Sequence, residues 1–205
     1  MRRHTNKPRE AYVSEYMITV VLSSGRKNSN SSGMANRLAA AAVKAGGAIE
    51  RYDLAKMDFK GCTGCGSCRS TTDSCVIRDD LSPLLASLKR CDAVVLASPN
   101  YYGYVSGTFK AFLDRWYSLR DAERKLRLPA GRPLAFLMSQ GHPDPEGYQN
   151  TLNSMSTIFS AYGFETKTII GAGLQGPGEF TERQELLSEL DAFGEELSAT
   201  LRKSK

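Results

Sequence analysis

The chain has 205 residues, of which 41% are hydrophobic and 24% are charged. This length and composition predict one globular domain with a proper core, and they exclude a disordered chain. The formal net charge of +5 favours anionic partners. Nucleic acid is not an expected partner, because no basic helix carries interleaved aromatic residues.

Residues 1–16 are polar and basic and lack the apolar run of a secretory signal. We interpret them as a flexible N-terminal extension, or as a segment ahead of a true start at Met17. The domain is expected to occupy 17–205. No stretch approaches the length of a transmembrane span, so the expected location is cytoplasmic, without a membrane partner.

The first predicted strand begins at Met17 and is followed by a loop of small and polar residues. An Ala-rich helix is predicted over 33–46, which places the run from Ser29 to Ser32 at N-cap positions. A helix N-terminus attracts phosphate, yet the loop has neither common nucleotide-binding glycine pattern. Such a loop is typical of a flavodoxin-like site for the single phosphate of FMN. An ordinary polar loop with a good helix cap is the alternative.

Four of the five cysteines fall in a predicted insertion loop at about 57–79, after a second strand at 48–54. They are Cys62, Cys65, Cys68 and Cys75. The C-x2-C-x2-C spacing of the first three favours a 4Fe-4S cluster over zinc. Zinc sites usually combine two C-x2-C pairs that are separated along the chain. Disulfides are not expected, and a redox-active or metal-free thiol cluster stays open. Cys91 is expected to be buried in the core.

Asp79 and Asp80 are expected to cap the next helix, and an apolar third strand follows at 92–97. Three tyrosines occur in the loop directly after that strand, at the edge where doubly wound sheets bind ligands. Aromatic faces there suit stacking on a planar ligand, and a dimer contact is the compatible alternative.

The remaining elements alternate as helix and strand. They are predicted at 107–119 (helix), 133–139 (strand), 147–162 (helix), 164–171 (strand) and 179–201 (helix). Gln140 and Gly141 follow the fourth strand and are predicted to reach the pyrimidine edge of a flavin, whereas His142 is expected to be an ordinary loop residue. The fold class is therefore α/β, a flavodoxin-like doubly wound five-stranded parallel sheet of order 2-1-3-4-5 with helices on both faces.

Several motifs together resemble one family. They are the polar loop from Ser24 to Ser31, the four cysteines, the segment from Ser98 to Gly103, and a K-x-F-x-D-R motif formed by Lys110, Phe112, Asp114 and Arg115. The combination resembles the NADPH-dependent FMN reductase superfamily, and within it the iron-sulfur flavoprotein branch. The resemblance covers the chain from Met17 nearly to its end.

The resemblance implies two cofactor sites. The FMN phosphate would be held by Ser24, Arg26, Asn28, Ser29, Asn30 and Ser31. The isoalloxazine ring would be lined by Pro99, Asn100, Tyr101, Tyr102 and Gly103, with Gln140 and Gly141 beyond them. The four cysteines of the insertion loop would bind the 4Fe-4S cluster, and no side chain is required for the hydride chemistry, which takes place on FMN.

The implied function is that of an FMN-dependent NAD(P)H oxidoreductase. It would move electrons between a nicotinamide or ferredoxin-type donor and a small-molecule acceptor such as a quinone or a flavin, as a homodimer or homotetramer. Two alternatives come from other classes: a flavin and iron-sulfur electron carrier between protein partners, and a thiol-based redox sensor.

Overall fold

The computed structural model describes residues 14–204. Most of the predicted N-terminal extension lies outside the described residues. The first strand begins at Tyr16, one residue before the predicted start of the domain. Tyr16 belongs to the core because its side chain is only 2% exposed and its hydroxyl donates to the carbonyl of Ala42 at 2.6 Å.

Within residues 14–204, five parallel strands form the central sheet. They are β1 (Tyr16–Leu22), β2 (Gly47–Asp53), β3 (Ala93–Tyr101), β5 (Arg132–Ser139) and β6 (Phe164–Gly171). Their order in the sheet is β2-β1-β3-β5-β6, the predicted doubly wound order for the parallel strands.

A sixth strand makes the predicted count of five wrong. The two-residue strand β4 (Tyr104–Val105) pairs antiparallel with the end of β3. Tyr102 and Gly103 connect the two strands, with φ angles of 53° and 80°. A two-residue hairpin turn whose central residues both have positive φ matches the twist of the strands that it joins. The tyrosine loop is therefore a β-hairpin.

Within residues 14–204, six α-helices and three short 3-10 helices lie between the strands or follow the last one. The α-helices are α1 (Asn30–Val43), α2 (Ser67–Ser70), α3 (Leu81–Arg90), α4 (Gly107–Asp114), α5 (Gln149–Ala161) and α6 (Gln184–Lys203). The 3-10 helices are Leu54–Lys56, Arg115–Leu119 and Glu179–Glu182. Helix α1 begins three residues before its predicted start, because Ser29 rather than a later residue is its N-cap.

The sheet separates two apolar cores, as expected for helices on both faces. On one face, Val94 and Leu96 pack with residues of α3, α4 and α5. On the other face, Ile18 and Val95 pack with α1 and α6. Among residues 14–204, no helix is long and apolar enough to cross a membrane.

Candidate functional site

The start of α1 forms one side of the candidate site. Ser29 is the N-cap, with φ of −60° and ψ of 135°, and its hydroxyl accepts a hydrogen bond from the backbone N–H of Ser32 at 3.4 Å. In the preceding loop, the Ser24 hydroxyl accepts from the N–H of Arg26 at 3.3 Å. The 14-residue helix directs its positive dipole end toward this loop, which therefore suits an anion.

Two predicted phosphate ligands are tied to the segment after β6. The Asn30 amide nitrogen donates to the carbonyl of Gly176 at 2.8 Å, and its oxygen accepts from the N–H of Phe180 at 3.2 Å. The Arg26 guanidinium donates to the carbonyl of Gln175 at 3.2 Å. These hydrogen bonds hold the segment from Gln175 to Phe180, which is distant in sequence, against the polar loop.

A cavity of about 270 Å³ brings the polar loop and the loops after β3 and β5 together. It lies at the carboxyl ends of the parallel strands, where doubly wound folds bind ligands. The predicted residues that line it are Ser24, Arg26, Ser29, Asn30, Pro99, Asn100, Tyr101, Gln140 and Gly141. Residues predicted from separate motifs to hold the phosphate and the ring thus line one continuous cavity, which we call the flavin cavity after that prediction.

Four predicted residues lie elsewhere. Asn28 lines a different cavity, on the other side of the polar loop. Ser31 is fully buried, with its hydroxyl 3.1 Å from that of Ser29. Tyr102 and Gly103 form the hairpin turn, where Tyr102 is completely exposed. Tyr101, half of whose surface is covered, is the tyrosine of this loop that lines the flavin cavity.

Three residues that the motifs did not indicate also line the flavin cavity. Ser139 is the last residue of β5, and Leu174 and Gln175 follow β6. Their only signal in the sequence is their position after predicted parallel strands, whose carboxyl ends meet at one edge of the sheet.

Two residues that line the flavin cavity each carry a buried amide atom that has no hydrogen-bond partner within the described part of the chain. The atoms are Nδ2 of Asn100, a donor, and Oε1 of Gln140, an acceptor. The orientation of Gln140 is fixed, because its Nε2 donates to the carbonyls of His142 and Asp144 at 3.3 and 2.7 Å. Buried polar groups are rarely left unpaired without a reason. A ligand edge with both an acceptor and a donor would satisfy them.

The predicted cluster ligands lie in the loop between β2 and α3, and none of them is in a disulfide. Cys62 and Cys65 are exposed, Cys75 is half-buried and Cys68 is buried. Burial, and secondarily the nearby Cys75, Cys62 and Cys65, raise the pKa of the Cys68 thiol. A hydrogen bond from the Ser67 backbone is the main cause that lowers the pKa of Cys65. The Cys68 thiol therefore lies within electrostatic range of the other three.

The donor set fits an iron-sulfur cluster in chemistry, because thiolates are its usual ligands. Its geometry is not that of a metal site: across residues 14–204, no three His, Cys, Asp or Glu side chains converge closely enough to hold a metal ion. Gly64 and Gly66 have φ angles of 69° and 72°, in the left-handed region, and a Cβ added at either position would meet no atom within 4 Å. The N–H of Gly64 donates to the Cys62 sulfur at 3.5 Å. The backbone of this loop is thus curled and open around the thiols.

A buried ion pair fixes the base of the cysteine loop. Asp79, one residue before the N-cap Asp80, accepts from the N–H of Leu81 at 3.2 Å, and it also pairs with Arg115 at 2.7 Å. Asp80 makes no side-chain bond to the helix and instead accepts from the N–H of Asp58 at 2.7 Å. No feature of the sequence near Arg115 predicts its ion pair with Asp79, which is 36 residues away.

A doubly wound α/β domain with a polar loop and an amide-lined cavity at the switch point defines a flavodoxin-like protein. The model of the NADPH-dependent FMN reductase family matches residues 16–170. The chain belongs to this family, which confirms the predicted family.

Curated relatives are named iron-sulfur flavoproteins. The chain is 37% identical over 95 residues to one from Archaeoglobus fulgidus, a match that covers 46% of this chain and 43% of that protein. It is 27% identical over 146 residues to one from Methanosarcina thermophila, covering 71% of this chain and 74% of that protein. The chain thus spans less than half the length of the first relative.

Solved structures share the fold. An NAD(P)H:quinone oxidoreductase from Methanothermobacter marburgensis superposes with a TM-score of 0.70 at 18% identity, covering 90% of this chain and 98% of that one. An FMN-dependent NADH-azoreductase from Bacillus anthracis, in complex with FMN, gives 0.66 at 14% identity, covering 89% and 99%. At these identities the likeness concerns the fold alone.

Proposed function

We propose that this protein binds FMN in the flavin cavity and oxidises NAD(P)H, passing the electrons to a small-molecule acceptor. The observation that carries the proposal is the pair of unpartnered amide atoms on Asn100 and Gln140. The pyrimidine edge of an isoalloxazine ring offers carbonyl acceptors and a ring N–H donor, which complements this pair. Bound FMN supplies the chemistry, accepting a hydride from a reduced nicotinamide and releasing electrons to the acceptor.

The residues of the chain bind FMN and orient its ring. The hydroxyls of Ser24 and Ser29 and the N–H groups at the start of α1 hold the phosphate, with the Arg26 cation at the rim. Tyr101 and the backbone around Pro99 contact the ring at the end of β3. Gln140 presents its oxygen because its nitrogen is held by two carbonyls. A site of this kind needs no nucleophile or general base.

We further propose that Cys62, Cys65, Cys68 and Cys75 hold a 4Fe-4S cluster when iron and sulfide are supplied. The proposal is supported by the C-x2-C-x2-C-x6-C spacing and by the names of the curated relatives. The loop would have to draw its thiols together on binding, and its two left-handed glycines give the backbone that freedom. In iron-free protein the same thiols would serve a redox sensor.

The proposal includes the electron acceptor and the oligomeric state of the protein. The acceptor is a quinone, a flavin or a ferredoxin-type protein, and the protein is a homodimer or homotetramer. A cytoplasmic location stays a prediction. An electron carrier without a nicotinamide site is the second candidate from the same fold.

The experiment is a cofactor assay followed by reduction. The protein is purified without oxygen, and acid-released flavin, iron and zinc are assayed on one sample. NADPH or NADH is then added anaerobically while flavin absorbance is recorded. Bound FMN that bleaches with either nucleotide supports the oxidoreductase. Bound FMN that neither nucleotide bleaches supports the carrier, and a protein that retains no FMN contradicts both.

A further inference from the structure

A groove of about 480 Å³ lies apart from the flavin cavity and shares no lining residue with it. Its walls come from helix α2 of the cysteine loop, the 3-10 helix Arg115–Leu119, the short hairpin of residues 120–126 and the end of α5. The arginines and tyrosines that line it are Arg69, Tyr117, Arg120, Arg124 and Tyr162. We call it the arginine-tyrosine groove. The proposed function leaves it unused.

The arginine-tyrosine groove has a net positive charge. Its lining includes three arginines and, among the described residues, no acid. Within residues 14–204 none of these arginines forms an ion pair. The two acids of the hairpin are engaged elsewhere: Asp121 accepts from the N–H of Lys125 at 2.8 Å, and Glu123 pairs with the Lys125 ammonium at 2.7 Å. The groove therefore suits an anion.

Two of the three guanidinium groups have free N–H donors. Arg120 is occupied, because it donates to the carbonyl of Arg124 at 2.8 Å and to the carbonyl of Ala161, which fastens the hairpin to the end of α5. Arg69 donates through Nε to the carbonyl of Tyr117 at 3.4 Å, but its Nη1 and Nη2 make no hydrogen bond within residues 14–204. The guanidinium of Arg124 makes none there either. Arg69 and Arg124 can therefore bind an acid group.

Two tyrosine rings give the groove flat apolar walls. The Arg69 guanidinium lies over the Tyr117 ring, 3.5 Å from its centroid, and that of Arg120 lies 4.9 Å from the centroid of Tyr162. Trp116 packs edge-on against Tyr162, with ring centroids 5.3 Å apart, so this ring is anchored in the core. Tyr117 is 42% exposed. Stacking uses the face of a guanidinium and leaves the N–H groups at its edge available.

We propose that the arginine-tyrosine groove binds an aromatic acid, with the acid group at Arg69 and Arg124 and the ring against Tyr117. Guanidinium N–H donors complement a carboxylate or sulfonate, and aromatic faces complement a flat apolar body. Pockets of about 300–1,000 Å³ hold small ligands, and the groove at about 480 Å³ lies in this range. A second copy packed through the same face would bring like charges together. The inference goes beyond the proposed function, because it needs neither FMN nor iron.

The test uses naphthoate as the probe, titrated by calorimetry into the full chain with and without added FMN. We expect the same naphthoate affinity in both titrations, because the groove and the flavin cavity share no residue. Two other probes separate charge from ring: cyclohexanecarboxylate has the charge without an aromatic ring, and naphthalenemethanol has the ring without the charge. Each should bind about tenfold more weakly than naphthoate, since each lacks one of the two kinds of contact.

Four variants locate the probe. Arg124→Asn removes a cation at an exposed position with a φ of 66°, a backbone conformation that Asn tolerates. It should weaken naphthoate binding by about tenfold or more, the effect of losing a charged hydrogen bond. Arg124→Lys keeps the charge and should recover part of the affinity. Arg69→Gln should show the same loss from the opposite wall. Arg202→Ala, the matched control, removes an exposed cation from the last turn of α6, outside the groove, and should change nothing.

Several results would overturn the inference. Absence of naphthoate binding at millimolar concentration would show that the groove is not a ligand site. Equal binding of cyclohexanecarboxylate would indicate a simple anion site, and equal binding of naphthalenemethanol an unspecific apolar surface. Naphthoate that FMN displaces, or whose affinity neither Arg124→Asn nor Arg69→Gln lowers, would bind elsewhere on the protein.

Discussion

The guanidinium of Arg115 and the carboxylate of Asp79 form a bidentate ion pair at the base of the cysteine loop, with nitrogen-to-oxygen distances of 2.7 and 3.2 Å. The Arg115 side chain is 0% exposed and that of Asp79 is 12% exposed. The same guanidinium donates to the carbonyls of Lys60 and Ile77 at 2.8 and 3.1 Å. One side chain therefore fastens both ends of the segment that carries the four cysteines.

Replacing Arg115 should destabilise the protein strongly. Arg115→Met removes the cation that pairs with the Asp79 carboxylate, which keeps only the backbone N–H donors of Lys60 and Leu81. Breaking a buried pair by removing one member typically costs about 3–5 kcal/mol. The free energy of unfolding from urea titrations, followed by circular dichroism, measures this loss. Iron loading of the variant, assayed after reconstitution, should fall as well, because both ends of the cysteine loop lose their anchor.

A matched control exists in the same chain. Arg37 and Asp191 form an ion pair of the same kind, at 2.6 and 2.9 Å, but their side chains are 40% and 36% exposed. Exposed pairs contribute at most about 1 kcal/mol, so Arg37→Met should have a small effect. Equal losses in the two variants would contradict the role assigned to Arg115.

The stability of the Arg115 pair should depend on pH. Burial alone would raise the pKa of Asp79, but hydrogen bonds from Arg115 and from the Lys60 backbone outweigh it, and the pKa lies below the ordinary value of 3.8. A lowered pKa in the folded state stabilises the protein above the ordinary value and loses that effect as the pH falls through the folded value. The urea midpoint of the wild type should therefore drop below about pH 4. Asp79→Asn should show a smaller drop, and parallel curves would count against the assignment.

Asn100 should matter for flavin binding and little for folding. Its Nδ2 has no partner in the described structure, so Asn100→Ala removes no hydrogen bond made by that atom and should leave the unfolding free energy of the flavin-free protein within about 0.5 kcal/mol. In the complex it should cost about 1 kcal/mol of FMN affinity, the usual value of one hydrogen bond. Flavin fluorescence titration measures the affinity. A loss of folding stability without a loss of affinity would refute the proposed contact.

Arg26 should contribute to flavin retention through its charge. Arg26→Ala removes the cation at the rim of the flavin cavity and should weaken FMN binding by about 1–3 kcal/mol, the range for a charge-assisted contact. Arg26→Lys keeps the charge and should recover part of the affinity. If neither variant changes the fluorescence titration, Arg26 has no contact with the phosphate and serves only to hold the Gln175 segment.

Those parts of the candidate site that depend on residues close together in sequence could be predicted from the sequence. The N-cap at Ser29 and the loops after the parallel strands follow from residue type and strand order, and both are present. Strand β4 was missed because Tyr102 adopts positive φ, which a bulky residue rarely does. The Arg115 anchor was missed for another reason: its partner is 36 residues away, and only the folded chain brings the two together.

The cysteine loop should bind iron independently of the flavin. Cys65→Ala removes the second predicted cluster ligand, which is exposed and lies in no core contact, so the fold and the FMN content should be unchanged while iron incorporation is abolished. Cys91→Ala is the matched control, because Cys91 lies outside the loop at the end of α3, where it is buried at 2% exposure beside Arg132. Iron and flavin are assayed on both variants after anaerobic reconstitution. Since a 4Fe-4S cluster needs its set of thiolates, full iron content in Cys65→Ala would show that the ligands are misassigned. Loss of iron in Cys91→Ala with a stable fold would show that the fifth cysteine takes part.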